Sequence, residues 1–83
     1  MRQENKPDPR HKFWECQMII SRHPRETCNT LVDVNQMKCR MCGYEINGVD
    51  KVKAVDESLR HIGNLYSYDH AYGEMIWEYF DWF

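Results

Sequence analysis

The sequence lacks the motifs that mark most enzymes and membrane proteins. It contains no glycine-rich phosphate-binding loop, no nucleophile motif and no H-E-x-x-H zinc motif. No apolar run approaches the roughly 20 residues of a membrane helix, and the polar residues 1–6 lead into no apolar segment. We therefore expect an intracellular protein, cytoplasmic or nuclear and not secreted, that is not an enzyme and that uses neither a membrane nor a small-molecule substrate.

The chain is also too short for a large hydrophobic core. A domain of 83 residues has a core that contributes only a few kcal/mol, roughly, so a metal ion or disulfides should add stability. In a reducing compartment four cysteines favour a metal site over disulfides. The composition predicts a flexible arm over residues 1–11 and one small zinc-binding domain over residues 12–83, with a boundary inside it near residue 48.

A single C-x-x-C motif, Cys39 to Cys42, is followed by Gly43, and the chain has no second copy of it. Glycine suits a tight turn in which two thiolates face one metal ion. Cys28 lies eleven positions before Cys39, and the β-type residues 30–34 between them predict a short strand. A hairpin from Cys28 to Ile46 would bring three cysteines together.

The window KCRMCGYEI, residues 38–46, resembles the second knuckle of a zinc ribbon, such as that of the smallest zinc-binding subunit of archaeal and eukaryotic RNA polymerases. The preceding CNTLV, residues 28–32, is similar to the strand that leaves a first knuckle. The resemblance covers residues 28–46 and implies a ribbon-like hairpin with one structural Zn²⁺ ion. The family pattern has a cysteine three positions before Cys28, where this chain has Arg25.

The sequence leaves two residues as the fourth zinc ligand. Cys16 is preferred because it leaves no free thiol, although residues 17–27 would then form an inserted loop. His23 is nearer to Cys28, and neutral imidazole is also a good zinc ligand. A third interpretation is that no metal binds and that the cysteines are small buried apolar residues.

The second half of the chain shows helical spacing of apolar residues. Residues at positions 52, 55, 59, 62 and 66 predict a first helix, with Asp50 as its N-cap. The side chains of Tyr72, Ile76, Tyr79 and Phe83 predict a second helix that runs to the end of the chain. The expected fold class is therefore α+β, a small zinc-ribbon-like hairpin module over residues 12–48 followed by two α-helices over residues 49–83.

Charge and aromatic residues predict where a partner binds. Residues 1–42 carry eight Lys/Arg and five Asp/Glu, and residues 43–83 carry three and eight, so the halves have net charges of +3 and −5. Trp77 and Trp82 lie off the apolar face of the second predicted helix, beside acidic residues, which favours a protein-binding surface. Arg22 and Arg25 place a second contact region in the loop 17–27.

These features predict a non-enzymatic, zinc-stabilised interaction module that binds a protein partner as an adaptor, inhibitor or regulator. The alternative that the ribbon resemblance implies is a nucleic-acid-binding protein that acts in transcription, and the basic first half is compatible with it. A small HNH-like nuclease is a further alternative, suggested by Asp69-His70 downstream of the C-x-x-C. The Asn and second His of that pattern are missing, and a site of four cysteines leaves no open position for water.

Overall fold

The computed structural model describes residues 1–49 and 51–83, and their regular structure is entirely β. The strands are β1 (Arg2–Glu4), β2 (His11–Cys16), β3 (Ile19–Arg22), β4 (Arg25–Thr27), β5 (Leu31–Asp33), β6 (Val52–Asp56), β7 (His61–Asp69) and β8 (Glu74–Tyr79). Because the described residues include no helix, the expected α+β fold with two helices is wrong, and the fold is all-β. The described residues therefore contain no membrane-spanning helix. Asp50, expected as a helix N-cap, lies outside the described residues.

Six strands form one antiparallel sheet in the order β1-β8-β7-β6-β2-β5. Strands β6, β7 and β8 form a meander, and β2 pairs with β6 so that Trp14 lies opposite Ala54. The segments before and after residue 48 therefore share one sheet. Strand β1 lies within the segment 1–11 that we expected to be a flexible arm, and it pairs with β8, with Arg2 opposite Tyr79.

The segment expected to be the first helix is β6, a tight turn and β7. In β6, Val52 and Ala54 are two positions apart and are both buried on one side of the strand. Arg60 donates its backbone N–H and its Nε–H to the two carboxylate oxygens of Asp56, each at 2.9 Å, and so fixes the turn. Leu59 in that turn has a φ of 66°, which a helix does not allow.

The segment expected to be the second helix contains β8. Gly73, with a φ of 63°, lies in the turn that returns the chain from β7. Along β8, Trp77 and Tyr79 are buried and Met75 packs against the same core, which is strand alternation. Aromatic and β-branched residues favour strands because they pack well on a pleated surface, and here Trp77 and Tyr79 pack on one face of a sheet and not on a helical face.

Most of the buried apolar residues form one cluster that joins the sheet to the cysteine-bearing loops; its members are Trp14, Cys16, Val32, Cys39, Ile46, Val52, Ala54, Ile62, Leu65, Trp77 and Tyr79. Trp14 makes the connection. Its indole N–H donates to the carbonyl of Gln36 at 2.7 Å, and its ring meets Tyr44 edge-on with 6.4 Å between centroids. The loop after β5 is therefore held against β2.

Strands β3 and β4 form a separate two-stranded hairpin between Cys16 and Cys28. The hairpin turns at His23-Pro24 and places Arg22 directly opposite Arg25. The segment 17–27, expected to be a loop, is therefore an ordered hairpin.

Candidate metal centre

The C-x-x-C motif forms a tight turn that we call the second knuckle, residues 39–44. The Gly43 N–H donates to the Cys39 carbonyl at 2.9 Å, and the Cys39 N–H donates to the Tyr44 carbonyl at 2.7 Å. Gly43 has a φ of 79°, in the left-handed region that favours glycine. The turn places the two cysteine sulfurs side by side.

Cys16 and Cys28 form a first knuckle with the same hydrogen bonds. The Asn29 N–H donates to the Cys16 carbonyl at 2.8 Å, and the Cys16 N–H donates to the Thr30 carbonyl at 3.0 Å. Asn29 has a φ of 53°, and it takes the place that Gly43 has in the other turn. Asparagine tolerates this conformation better than most residues with a side chain.

The hairpin of β3 and β4 is an insertion into the first knuckle. It fills the place of the two residues that separate Cys39 from Cys42. At its base, the Cys28 N–H donates to the Met18 carbonyl at 2.9 Å, and the Gln17 N–H donates to the Lys51 carbonyl at 2.9 Å. These bonds bring Cys16 and Cys28 together although eleven residues lie between them.

The two knuckles bring all four thiols together. The ligand atoms of Cys16, Cys28, Cys39 and Cys42 lie within 4.8 Å of one another. The Sγ atoms of Cys16 and Cys42 are 3.5 Å apart, and those of Cys28 and Cys39 are 3.7 Å apart. None of the four forms a disulfide, so the cluster could hold a metal ion.

The surroundings of the four thiols shift their pKa values in opposite directions: the pKa of Cys39 is lowered and that of Cys16 is raised. Burial alone raises the pKa of Cys39, but N–H groups of Cys42 and Met41 and the nearby thiols outweigh it and lower the pKa to about 7. Burial raises the pKa of Cys16, and the Met18 N–H opposes this only in part. Burial therefore disfavours the Cys16 thiolate, which a bound cation would stabilise.

The structure places Cys16, not His23, beside the other three cysteines. His23 is exposed at the turn of the hairpin and does not belong to the group of possible metal ligands. Among the described residues no other group of three or more His, Cys, Asp or Glu could hold a metal, so Asp69 and His70 form no second centre there.

The predicted partner-binding residues separate into exposed and buried ones. Trp77 has 1% of its surface exposed and belongs to the core, so its predicted role as an exposed contact is wrong. It faces inward because residues 74–79 are a strand, in which positions 75, 77 and 79 share one face. Trp82 is 59% exposed, and Arg22 and Arg25 are exposed on the hairpin, so these three are accessible.

Sequence reasoning missed the role of Asn29. The signal was present, since Cys28-Asn29 parallels Cys42-Gly43, and asparagine is enriched at positive φ. Comparison with known proteins gave no match to any family model, curated protein or solved structure. The cysteine cluster is consistent with a zinc-ribbon-like site, and no match supports membership of the zinc-ribbon superfamily.

Proposed function

We propose that this protein is a non-enzymatic interaction module stabilised by one structural Zn²⁺ ion, with Cys16, Cys28, Cys39 and Cys42 as ligands. The observation that carries this proposal is the convergence of the four sulfurs within 4.8 Å. Four sulfurs at about 2.3 Å from a tetrahedral zinc ion lie about 3.8 Å apart. The separations of 3.5 and 3.7 Å agree with that geometry and far exceed the ~2.05 Å of a disulfide bond.

Four thiolates complete the coordination of a structural zinc ion and leave no position for a reacting water molecule. The knuckle N–H groups would stabilise the thiolates in the holo protein, as they already do at Cys39. This donor set therefore supports a structural metal rather than a catalytic one.

A protein partner accounts best for the exposed side chains around the centre. Met41 is 73% exposed within the second knuckle and Ile20 is 57% exposed on the hairpin, while Arg22 and Arg25 flank the hairpin turn. Exposed apolar and arginine side chains on a rigid support are typical of protein-binding surfaces. The role we propose is that of an adaptor, inhibitor or regulator.

Native mass spectrometry of the chain, its single Cys-to-Ser variants and H23A tests the zinc assignment. We expect one zinc ion per chain in the parent protein and in H23A, weaker binding in each Cys variant, and loss of folding with the metal when a strong chelator is added. A folded chain without metal, or loss of zinc in H23A equal to that in C16S, would contradict the proposal.

A further inference from the structure

A groove runs between the hairpin of β3 and β4 and the start of β6. Its lining includes Ile19, Arg25, Val49, Lys53 and Asn64. Ile19 and Arg25 also line a pocket at the hairpin tip, together with Arg22 and His23. The groove and the tip pocket therefore form one continuous surface, which we call the hairpin groove.

The hairpin groove is positively charged although the chain as a whole is acidic. Arg22, Arg25 and Lys53 line it, and none of its lining residues in the described part of the chain is Asp or Glu. The chain has a formal net charge of −2. Such separation of charge is typical of a surface that recognises an anionic partner.

Among the described residues, the two arginines at the tip have no carboxylate partner such as those of Arg2 and Arg60. Arg22 and Arg25 are a directly opposed cross-strand pair, and neither side chain forms an ion pair or hydrogen bond with any other described residue. Like charges in that arrangement destabilise a hairpin. By contrast, Arg2 lies 2.7 Å from Asp8, and Arg60 lies 2.9 Å from Asp56. An external anion would relieve the repulsion at the tip.

Two acidic side chains of the described chain that neighbour the hairpin groove, Glu26 and Glu15, do not cancel this charge. Glu26 is adjacent to Arg25 in β4, and successive strand residues point to opposite faces, so Glu26 points away. Glu15 is the cross-strand neighbour of Lys53, and its carboxylate accepts the Gln17 side-chain amide at 2.6 Å. Glu15 offsets one cation at most, which leaves the tip positive.

We propose that the hairpin groove binds an acidic, extended segment of a protein partner. This inference rests on the proposed function and names the chemistry of the partner. Carboxylates of the segment pair with Arg22, Arg25 and Lys53, and its apolar side chains contact Ile19 and Val49, which is 41% exposed. Single-stranded nucleic acid is disfavoured because the described lining residues include no Phe, Tyr or Trp for base stacking, and His23 at the tip is the one ring among them.

The metal centre holds this surface in place. Cys16 and Cys28 lie at the two ends of the hairpin, and Cys39 and Cys42 would join them through zinc. The ion therefore fixes the hairpin, and with it Arg22 and Arg25, relative to β6. Removal of the metal should weaken binding in the groove.

Fluorescence anisotropy with three labelled probes tests the proposal. The probes are a peptide of about ten residues that alternates Glu with Leu, the same peptide with Lys for Glu, and an oligothymidine of similar length. We expect the zinc-loaded protein to bind the Glu peptide most tightly, and more weakly as NaCl rises from about 50 to about 300 mM.

Charge-reversal variants locate the binding. R22E/R25E should weaken binding of the Glu peptide at least about tenfold, and the milder R22Q/R25Q should weaken it by less. K6E/K12E changes the net charge equally at exposed positions outside the groove and should alter the affinity less than about twofold. Zinc content and circular dichroism of each variant report its fold.

Three results would overturn the inference: no binding of the Glu peptide, equal weakening by K6E/K12E, or tighter binding of oligothymidine. If the folded, zinc-loaded protein does not bind the Glu peptide, the acidic partner is ruled out, but the proposal of a zinc-stabilised module is unaffected. A folded protein that contains no zinc would instead reject the proposed function.

Discussion

Asn29 and Gly43 occupy equivalent positions in the two knuckles of one cysteine cluster. Each follows the second cysteine of its pair, each has a positive φ, and each donates its N–H to the carbonyl of the first cysteine. The equivalence shows that Cys16 and Cys28 form a knuckle in spite of the hairpin between them. It explains how a chain with one C-x-x-C motif can assemble a cluster of four thiols.

The conformation of Asn29 can be tested with two substitutions that remove the same side-chain amide. Both N29A and N29G lose the hydrogen bonds of the Asn29 oxygen with Thr27 and Gln17, at 2.7 and 3.4 Å. Only alanine is strained at a φ of 53°. We expect N29G to be more stable than N29A by about 1 kcal/mol in urea unfolding with zinc in excess. Equal stabilities would show that the positive φ is not maintained in solution.

A close approach between β7 and β8 makes Gly63 sensitive to substitution. A Cβ there would overlap the Glu78 carbonyl oxygen and lie 2.9 Å from the Tyr79 Cα. We expect G63A to lower the free energy of unfolding by about 3 kcal/mol, because the sheet would have to separate. In the control, G73A, the Cβ has open space and only a φ of 63° to accommodate, so the loss should be about 1 kcal/mol. A G63A variant as stable as G73A would contradict the pairing of β7 with β8.

Burial of His11 makes stability depend on pH. Its Nδ1 lies 2.9 Å from the Tyr79 hydroxyl, and burial lowers the pKa of His11 to about 4, against 6.5 for an ordinary histidine. Between these values the unfolded chain binds one proton more than the folded chain. The stabilisation that comes from keeping His11 neutral is therefore fully present above pH ~6.5. As the pH falls to ~4, the free energy of unfolding decreases by about 3 kcal/mol.

The variant H11F separates this effect from loss of zinc in acid. Between pH ~7 and pH ~5.5 the parent protein should lose about 1 kcal/mol more of its free energy of unfolding than H11F does, in urea with zinc in excess. Release of metal affects both proteins equally, so the difference reports His11. Identical losses would show that His11 titrates normally and is not buried.

The two tryptophans near the end of the chain should differ in their effect on stability. Trp77 is 1% exposed, and its ring centroid lies 4.5 Å from that of His11. W77A should therefore lower the free energy of unfolding by about 3–5 kcal/mol. Trp82 is 59% exposed, and the Arg60 guanidinium carbon lies 5.6 Å from its ring centroid. W82A should therefore lower the free energy of unfolding by less than about 1 kcal/mol. Thermal unfolding of the two variants measures the difference, and a reversed order would contradict the placement of β8.

The fold shows why apolar spacing misled the prediction of the second half. Val52, Val55, Leu59 and Ile62 fit a helical face, but Val52 and Val55 lie in one strand, Ile62 in the next and Leu59 in the turn between them. A short apolar run is compatible with both periods, and the deciding contacts are cross-strand pairs distant in sequence. The pairing of β1 with β8 joins residues more than 70 positions apart, which no local pattern contains.

The candidate site was more predictable than the fold. The C-x-x-C-G pattern is local, and it forms the turn that its residues predict at Cys39, Cys42 and Gly43. Spacing left Cys16 and His23 open as alternatives, because the choice depends on how residues 17–27 fold. Once those residues form a hairpin closed at Gln17 and Met18, Cys16 lies beside Cys28 and His23 lies at the turn.

X-ray absorption at the zinc edge, on protein purified without added metal, tests the central claim most directly. The proposed centre predicts one zinc ion per chain with four sulfur neighbours at about 2.3 Å and no nitrogen or oxygen in the first coordination shell. Three sulfurs with one nitrogen would replace Cys16 by a histidine ligand. That result, or a folded protein without zinc, would contradict the account.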